Sequence, residues 1–175
     1  MRVGTHVTTV AGMTDLAPPQ PYERGVRVEL ERVPLAVVRH DGVTLDDIRD
    51  LFDDAYSAVG SLLADGTLVP VGPALAIYRG DVQARFDLEL GFPVADAPRS
   101  PIPAGDLEVV GATLPSGPAL AATHLGAYDD LGDAWARLAD TPGARHTNTW
   151  IEVYVTDPSV DPDHLRTDLL MPITD

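Results

Sequence analysis

Apolar and polar residues alternate from Val26 to Glu31, with Val26, Val28 and Leu30 set against Arg27, Glu29 and Glu31. A period of two predicts an extended segment, which the apolar run Leu35 to Val38 continues after an interruption at Pro34. The period then lengthens. Leu45, Ile48, Leu51, Phe52, Ala55, Val59, Leu62 and Leu63 recur at steps of three and four, predicting a helix that ends at Gly66. Thr44 with Asp47 forms a capping-box pattern, and Asp46 and Asp47 place negative charge at the positive end of the helix dipole. Two strands are predicted next, Val69 to Arg79 and Val82 to Leu90, joined by turn chemistry at Gly80-Asp81. Ala95 to Gly105, with Pro98, Pro101 and Pro103, reads as a linker. Strands over Leu107 to Leu114 and Ala119 to Leu125 follow, separated by the turn Pro115-Ser116-Gly117-Pro118. A shorter helix then uses Leu131, Ala134, Trp135 and Leu138, with Asp129 as its expected cap and Thr141-Pro142-Gly143 as its stop. Residues 1–25, with Pro18, Pro19 and Pro21, show no sustained period and are read as an irregular arm.

The second half of the pattern repeats the first. Val38-Arg39-His40-Asp41-Gly42 before the first helix corresponds to Ala122-Thr123-His124-Leu125-Gly126 before the second. Ala76-Ile77-Tyr78 corresponds to Glu152-Val153-Tyr154, and Glu89-Leu90-Gly91-Phe92-Pro93 to Asp168-Leu169-Leu170-Met171-Pro172. The blocks keep their order, with offsets of 84, 76 and 79 (124 minus 40, 154 minus 78, 172 minus 93), and the drop after the first block is what a shorter second helix produces. The fold expected is α+β: two tandem β-α-β-β modules, about 26–95 and 106–175, with pseudo-two-fold symmetry, antiparallel sheets and two main helices around a central cleft. One half-sheet with one helix leaves a face uncovered, so both halves are expected to form a single domain over 26–175.

Composition narrows the chemistry. The chain has 175 residues, no cysteine and a formal charge of -15. Thiol catalysis, disulfide scaffolds and cysteine-ligated metals are excluded, and such a field repels phosphate backbones, so no direct nucleic-acid binding is expected. No apolar run reaches the roughly 20 residues of a membrane span, and Met1 to Asp15 lacks the segments of a signal peptide. A cytoplasmic protein without membrane contact is the expectation. No two histidines stand at ligand spacing, so no metal is expected, and nothing implies a cofactor. Nucleophile elbows and phosphate-cradling glycine loops are absent.

One segment stands out. In Thr149 to Thr156 the period of two places Ile151, Val153 and Val155 on one face and Trp150, Glu152 and Tyr154 on the other. A carboxylate between two large aromatics suits an organic cation, each cation–π contact contributing about 0.5–2 kcal/mol. It also suits a solvated sheet face flanked by good strand formers. The repeat adds weight to the first reading, since Tyr154 has Tyr78 as its counterpart while Glu152 has Ala76. Phe52 and Tyr56 lie on or beside the apolar stripe of the first helix, as core or as pocket wall, and Trp135 reads as core. Tyr128 stands at a strand-to-helix junction, facing a cleft or stapling the helix start. His40 and His124 recur, suggesting a shared hydrogen-bonding role. Glu89, with Asp87, lies on the polar face of its strand. It is either a solvated acid or a partner for Glu152 in acid/base work.

His40-Asp41-Gly42, Asp87 through Val94, His124-Leu125-Gly126-Ala127-Tyr128, and Glu152-Val153-Tyr154 with Thr156-Asp157-Pro158 together resemble the GyrI-like small-molecule-binding family, also called the bacterial transcription effector-binding domain. The resemblance spans about Val26 to Ile173. It implies a cleft between the modules in which an acidic residue, here Glu152, binds cationic or lipophilic drugs within an aromatic cage. The ligand-binding set is then Glu152, Tyr154, Trp150, Tyr128, Tyr78, Tyr56 and Phe52. Many members follow a helix-turn-helix domain. Nothing of that kind is legible before Val26, and Ala127 stands where the family often has proline. Some relatives look like hydrolases that open the cyclopropane of DNA-alkylating antibiotics, a role in which Glu152, with Glu89 as a weaker candidate, would be catalytic. Others inhibit DNA gyrase, so gyrase or a separate regulator is a possible protein partner beside a lipophilic or cationic small molecule.

Overall fold

Nine strands and two helices are laid out in the computed structural model, which describes residues 16–157 and 159–175. The strands are β1 (Val26–Leu30), β2 (Pro34–Val43), β3 (Leu75–Gly80), β4 (Phe86–Pro93), β5 (Ile102–Ala104), β6 (Leu107–Thr113), β7 (Gly117–Leu125), β8 (Thr149–Tyr154) and β9 (Arg166–Pro172). Helix α1 (Ile48–Ala64) joins β2 to β3, and α2 (Leu131–Ala139) joins β7 to β8. All strands belong to one antiparallel sheet in the order β1-β7-β9-β8-β3-β4-β2-β6-β5, an α+β fold. Its middle reads β7-β9-β8 and then β3-β4-β2, the same β-α-β-β connection laid down twice in reversed order. That is the arrangement a two-fold axis between β8 and β3 produces. Register places Ala76 directly opposite Glu152, and these are also repeat equivalents, so the pseudo-axis passes between them.

Chain length forces the sheet to curl. Strands β1 and β2 are six positions apart in the sheet, as are β6 and β7, which laid flat would separate each pair by roughly 29 Å at about 4.8 Å per spacing. Yet Leu30 connects to Pro34, and Thr113 to Gly117, through four Cα steps, a reach of at most about 15 Å at ~3.8 Å each. The sheet therefore bends round its inner face, and the two helices take the outer one. The inner face packs Leu35, Val37, Leu75, Ile77, Ile151, Val153 and Leu170 with Leu30, Leu114 and Leu16. On the outer face α1 lays Ala55, Val59 and Leu62 over Ala36, Val38, Leu88 and Leu90, while Leu138 of α2 covers Leu120, Ala122, Leu169 and Met171. Between the helices, over the β3–β8 pair, the outer face carries Ala76, Tyr78, Trp150, Glu152 and Tyr154.

Several predicted elements shift. The single extended segment around Pro34 is two strands, because β1 pairs with β7 and β2 with β4 and β6. Val69 to Ala74 stays outside β3, since Pro70 and Pro73 lack ladder donors and Gly72 lies against Pro93, where a Cβ would stand 2.8 Å from that ring. Val82 and Ala84 belong to a turn, which Asp81 starts by accepting the Gln83 N–H at 2.9 Å. The linker contains β5. The Thr44–Asp47 box is formed, Asp47 accepting the Thr44 N–H at 2.9 Å, and one 3-10 turn (Leu45–Asp47) leads into α1. Asp129 does not cap α2: a 3-10 turn (Tyr128–Asp130) begins after extended Ala127, without a side-chain cap. Residues 1–15 of the expected arm lie outside the described residues. The rest of it is docked along the inner side, with Leu16 buried there and Tyr22 donating its N–H to Thr123 at 2.8 Å.

Candidate functional site

Glu152 is 6% exposed at the centre of β8. The strand's period of two turns Trp150, Glu152 and Tyr154 to the outer face, and the inward Ile151 and Val153 are fully buried, anchoring the strand. Oε1 accepts the indole N–H of Trp135 at 2.8 Å, and Oε2 accepts the hydroxyls of Tyr154 at 2.5 Å and Tyr78 at 3.3 Å. Three neutral donors from α2, β8 and β3 thus hold the carboxylate. Among the described residues no arginine or histidine forms an ion pair with it. Burial pushes the Glu152 carboxyl above the usual carboxylate range, while the hydrogen bonds from Tyr154, Trp135 and Tyr78, and the nearby His124, pull it back down. Burial, with the charge of Glu152, pushes the hydroxyls of Tyr56, Tyr78 and Tyr154 well above their ordinary range.

Aromatic rings surround this anion. Tyr154 meets Phe52 edge-on at 5.9 Å and Tyr128 at 5.9 Å, and Phe52 meets Tyr56 at 5.6 Å. Trp135 stands across Trp150 at 5.4 Å, and the far side of Trp150 lies against His146 at 4.7 Å. Tyr56 is fixed by donating its hydroxyl to the Leu75 carbonyl at 2.7 Å. Tyr128 is 39% exposed, marking the outer edge of the group. All seven residues expected to bind ligand, Phe52, Tyr56, Tyr78, Tyr128, Trp150, Glu152 and Tyr154, thus fall in one cluster on the outer face. Glu152 itself is left only 6% exposed among these residues. Two surface concavities of about 430 and 400 Å³ lie elsewhere, one lined by Thr123, His124 and Arg137 and the other by Leu16, Val33 and Val71, and neither includes Glu152 or these rings.

Trp135 was expected in the core and is instead a direct partner of the carboxylate. Its spacing in the helix is that of a core residue, and only the orientation of α2 over β8 reveals the contact. Glu89 is neither a solvated acid nor a partner of Glu152: it is 4% exposed and lies on the other face of the sheet. Glu89 stands opposite Ile77 and Arg39, on the inner face, where it bonds Arg39 at 3.4 Å and also Arg79. Neighbouring strand positions alternate sides, and Ala76 and Ile77 carry the two acids' registers to opposite faces. Asp168, the repeat equivalent of Glu89, is likewise buried inward with Arg166 at 2.9 Å and Thr123 at 2.7 Å. The shared histidine role divides: His124 Nε2 meets the Ala127 carbonyl at 2.8 Å, whereas His40 Nε2 is buried without a partner among the described residues. Among the described residues no cluster of histidine and acids is arranged to hold a metal, and no helix is long and apolar enough to cross a membrane.

No family model matches the sequence, and no curated protein matches it either. Solved structures do. The EcmrR C-terminal domain superposes with a TM-score of 0.68 at 17% identity, covering 86% of this chain and 97% of that one. The fold is GyrI-like. SAV2435, solved bound to tetraphenylphosphonium, shares this GyrI-like fold with a TM-score of 0.61 at 12% identity, over 86% of this chain and 93% of its own. A hydrolase encoded by lin2189 from Listeria innocua superposes at 0.59 with 13% identity, covering 89% and 94%. At these identities the superpositions show a shared fold.

Proposed function

We propose that residues 26–175 form one effector-binding domain that takes up apolar organic cations at Glu152, sensing or sequestering drug-like molecules. The observation that carries this is a buried carboxylate with neutral donors, aromatic neighbours and, among the described residues, no ion-pair partner. Taking a carboxylate out of water costs several kcal/mol, and hydrogen bonds from neutral donors recover part of that. A lipophilic cation recovers more: it brings the missing charge, loses little hydration on entering, and presents its skeleton to the faces of Phe52, Tyr56, Trp150 and Tyr154. That SAV2435 is known bound to tetraphenylphosphonium supports this choice of ligand class. The rings must part to admit such a guest, and the half-exposed aromatics at the edge of α1 and Tyr128 before α2 are the side chains placed to do so. Titration calorimetry with tetraphenylphosphonium tests the proposal. Saturable binding to the wild type that Glu152→Gln weakens is expected, and no detectable heat or thermal stabilisation up to millimolar ligand refutes it.

The raised Glu152 carboxyl, 2.5 Å from the Tyr154 hydroxyl, favours a second reading as a hydrolase of strained, cyclopropane-bearing antibiotics, in which Glu152 protonates the ring or activates water. Mass spectrometry of recovered ligand separates the two: an unchanged mass supports binding alone, and a gain of one water supports hydrolysis.

A further inference from the structure

Among the cluster's residues on β3 and β8, two have no counterpart in the other half. The offset of 76 that pairs Tyr154 with Tyr78 pairs Glu152 with Ala76 and Trp150 with Ala74. Both departures lie on β8, two residues apart, facing the outer side, and both replace a methyl group by a side chain with polar function. Glu152 supplies an anionic acceptor whose oxygens are engaged by Trp135, Tyr78 and Tyr154. Trp150 supplies a donor whose indole N–H is shielded from solvent and has no acceptor among the described residues. The contrast with Trp135 is direct, since that indole, edge to face with Trp150 at 5.4 Å, bonds the carboxylate.

A buried N–H without a partner costs about 1–3 kcal/mol and calls for an explanation. Packing alone does not require it, because phenylalanine offers an apolar ring at the same position without an N–H to satisfy. We infer that Trp150 is a second recognition point of the Glu152 site: the natural ligand joins its cationic centre to a hydrogen-bond acceptor, a carbonyl or ether oxygen, that accepts the Trp150 indole N–H. Residues two apart on a strand have side chains rooted on the order of 7 Å from each other, which gives the scale of the span from cation to acceptor. The ligand class is thereby narrowed from any lipophilic cation to cations carrying an acceptor about one substituted benzene ring away. This inference rests on the proposed binding at Glu152.

A matched pair of probes tests both. Tetraphenylphosphonium has the cation without an acceptor, and (4-acetylphenyl)triphenylphosphonium adds a carbonyl oxygen roughly one strand repeat from phosphorus. The wild type is expected to bind the acetyl compound about 2- to 10-fold more tightly, the worth of one neutral hydrogen bond. In Trp150→Phe that ratio should fall to about one, whereas Glu152→Gln should weaken both compounds. Because the Phe variant can alter packing, the wild-type indole N–H resonance of Trp150 is followed as well. It should shift with the acetyl compound in a manner that tetraphenylphosphonium does not reproduce. Equal affinities and equal indole shifts with both compounds overturn the role of Trp150 and leave the Glu152 site intact. Absence of binding by either compound overturns the site, and the role of Trp150 with it.

Discussion

Replacing Glu152 by glutamine removes one charge and almost no volume, which makes it the sharpest perturbation of the site. The structure indicates how the amide would sit. Its oxygen can take the place of Oε1 as acceptor for the Trp135 indole, and its NH2 group then faces the hydroxyls of Tyr78 and Tyr154, which rotate to accept. The amide's own groups keep partners while the Tyr78 and Tyr154 protons lose Oε2 as their acceptor, so a thermal melt is run beside the binding assay to show that the variant folds. For a bound cation the loss is larger. Removing one partner from a desolvated charge pair costs about 2–5 kcal/mol, equivalent to roughly 30- to several-thousand-fold in Kd. Shape is separated from charge with tetraphenylborate, an anion of nearly the same form as tetraphenylphosphonium. The wild type should strongly prefer the phosphonium, and Glu152→Gln should lose most of that preference while its affinity for neutral aromatics changes little. Calorimetry at two salt concentrations completes the assay, because a pair this buried is only weakly screened. If Glu152→Gln binds tetraphenylphosphonium as tightly as the wild type, charge pairing is not the basis of the site.

Further outcomes follow from the same geometry. Burial raises the Glu152 carboxyl in the folded state, so the native protein holds that proton more tightly than the unfolded chain does; Glu152 therefore costs increasing stability as pH rises from the ordinary carboxylate range to its elevated folded value. Urea titrations of wild type and Glu152→Gln across that window should diverge in favour of the variant with rising pH and then run parallel, and a constant difference would count against the shift. Asp168→Ala strands Arg166 in a mostly buried position and should destabilise the fold by about 3–5 kcal/mol, read as a fall in the urea midpoint. Gly91→Ala places a Cβ 1.9 Å from the Ala36 carbonyl oxygen, between adjacent strands with no flexible side chain to yield, and should cost at least ~3 kcal/mol or prevent folding, checked by circular dichroism and expression.

The repeat was legible because the residues that recur are those that packing demands twice. Tyr78 and Tyr154, Leu90 and Leu169, and the strand-end histidines sit at matching points of the sheet, and their spacing survives in the sequence. The α1 stripe and the face of β8 were equally readable, since a single period decides each. The curl of the sheet was not, because it arises from two short connections whose meaning depends on strand order, and no local pattern encodes that order. The same holds for Glu89 and Glu152. Each lies on the polar side of its own strand, but which side of the sheet that becomes depends on the register through Ala76 and Ile77. Trp135 illustrates the remaining limit: a large residue at core spacing on a helix reads as filler until the neighbouring strand shows what its nitrogen meets.

The pseudo-axis running between Ala76 and Glu152 has a consequence for stoichiometry. A duplicated fold invites the expectation of duplicated guests, one per module. Here the anion stands beside the one line that both modules share, so under the proposed binding two guests would claim the same volume, and calorimetry is expected to give one per chain. A measured stoichiometry of two would place the guests elsewhere than at that shared line.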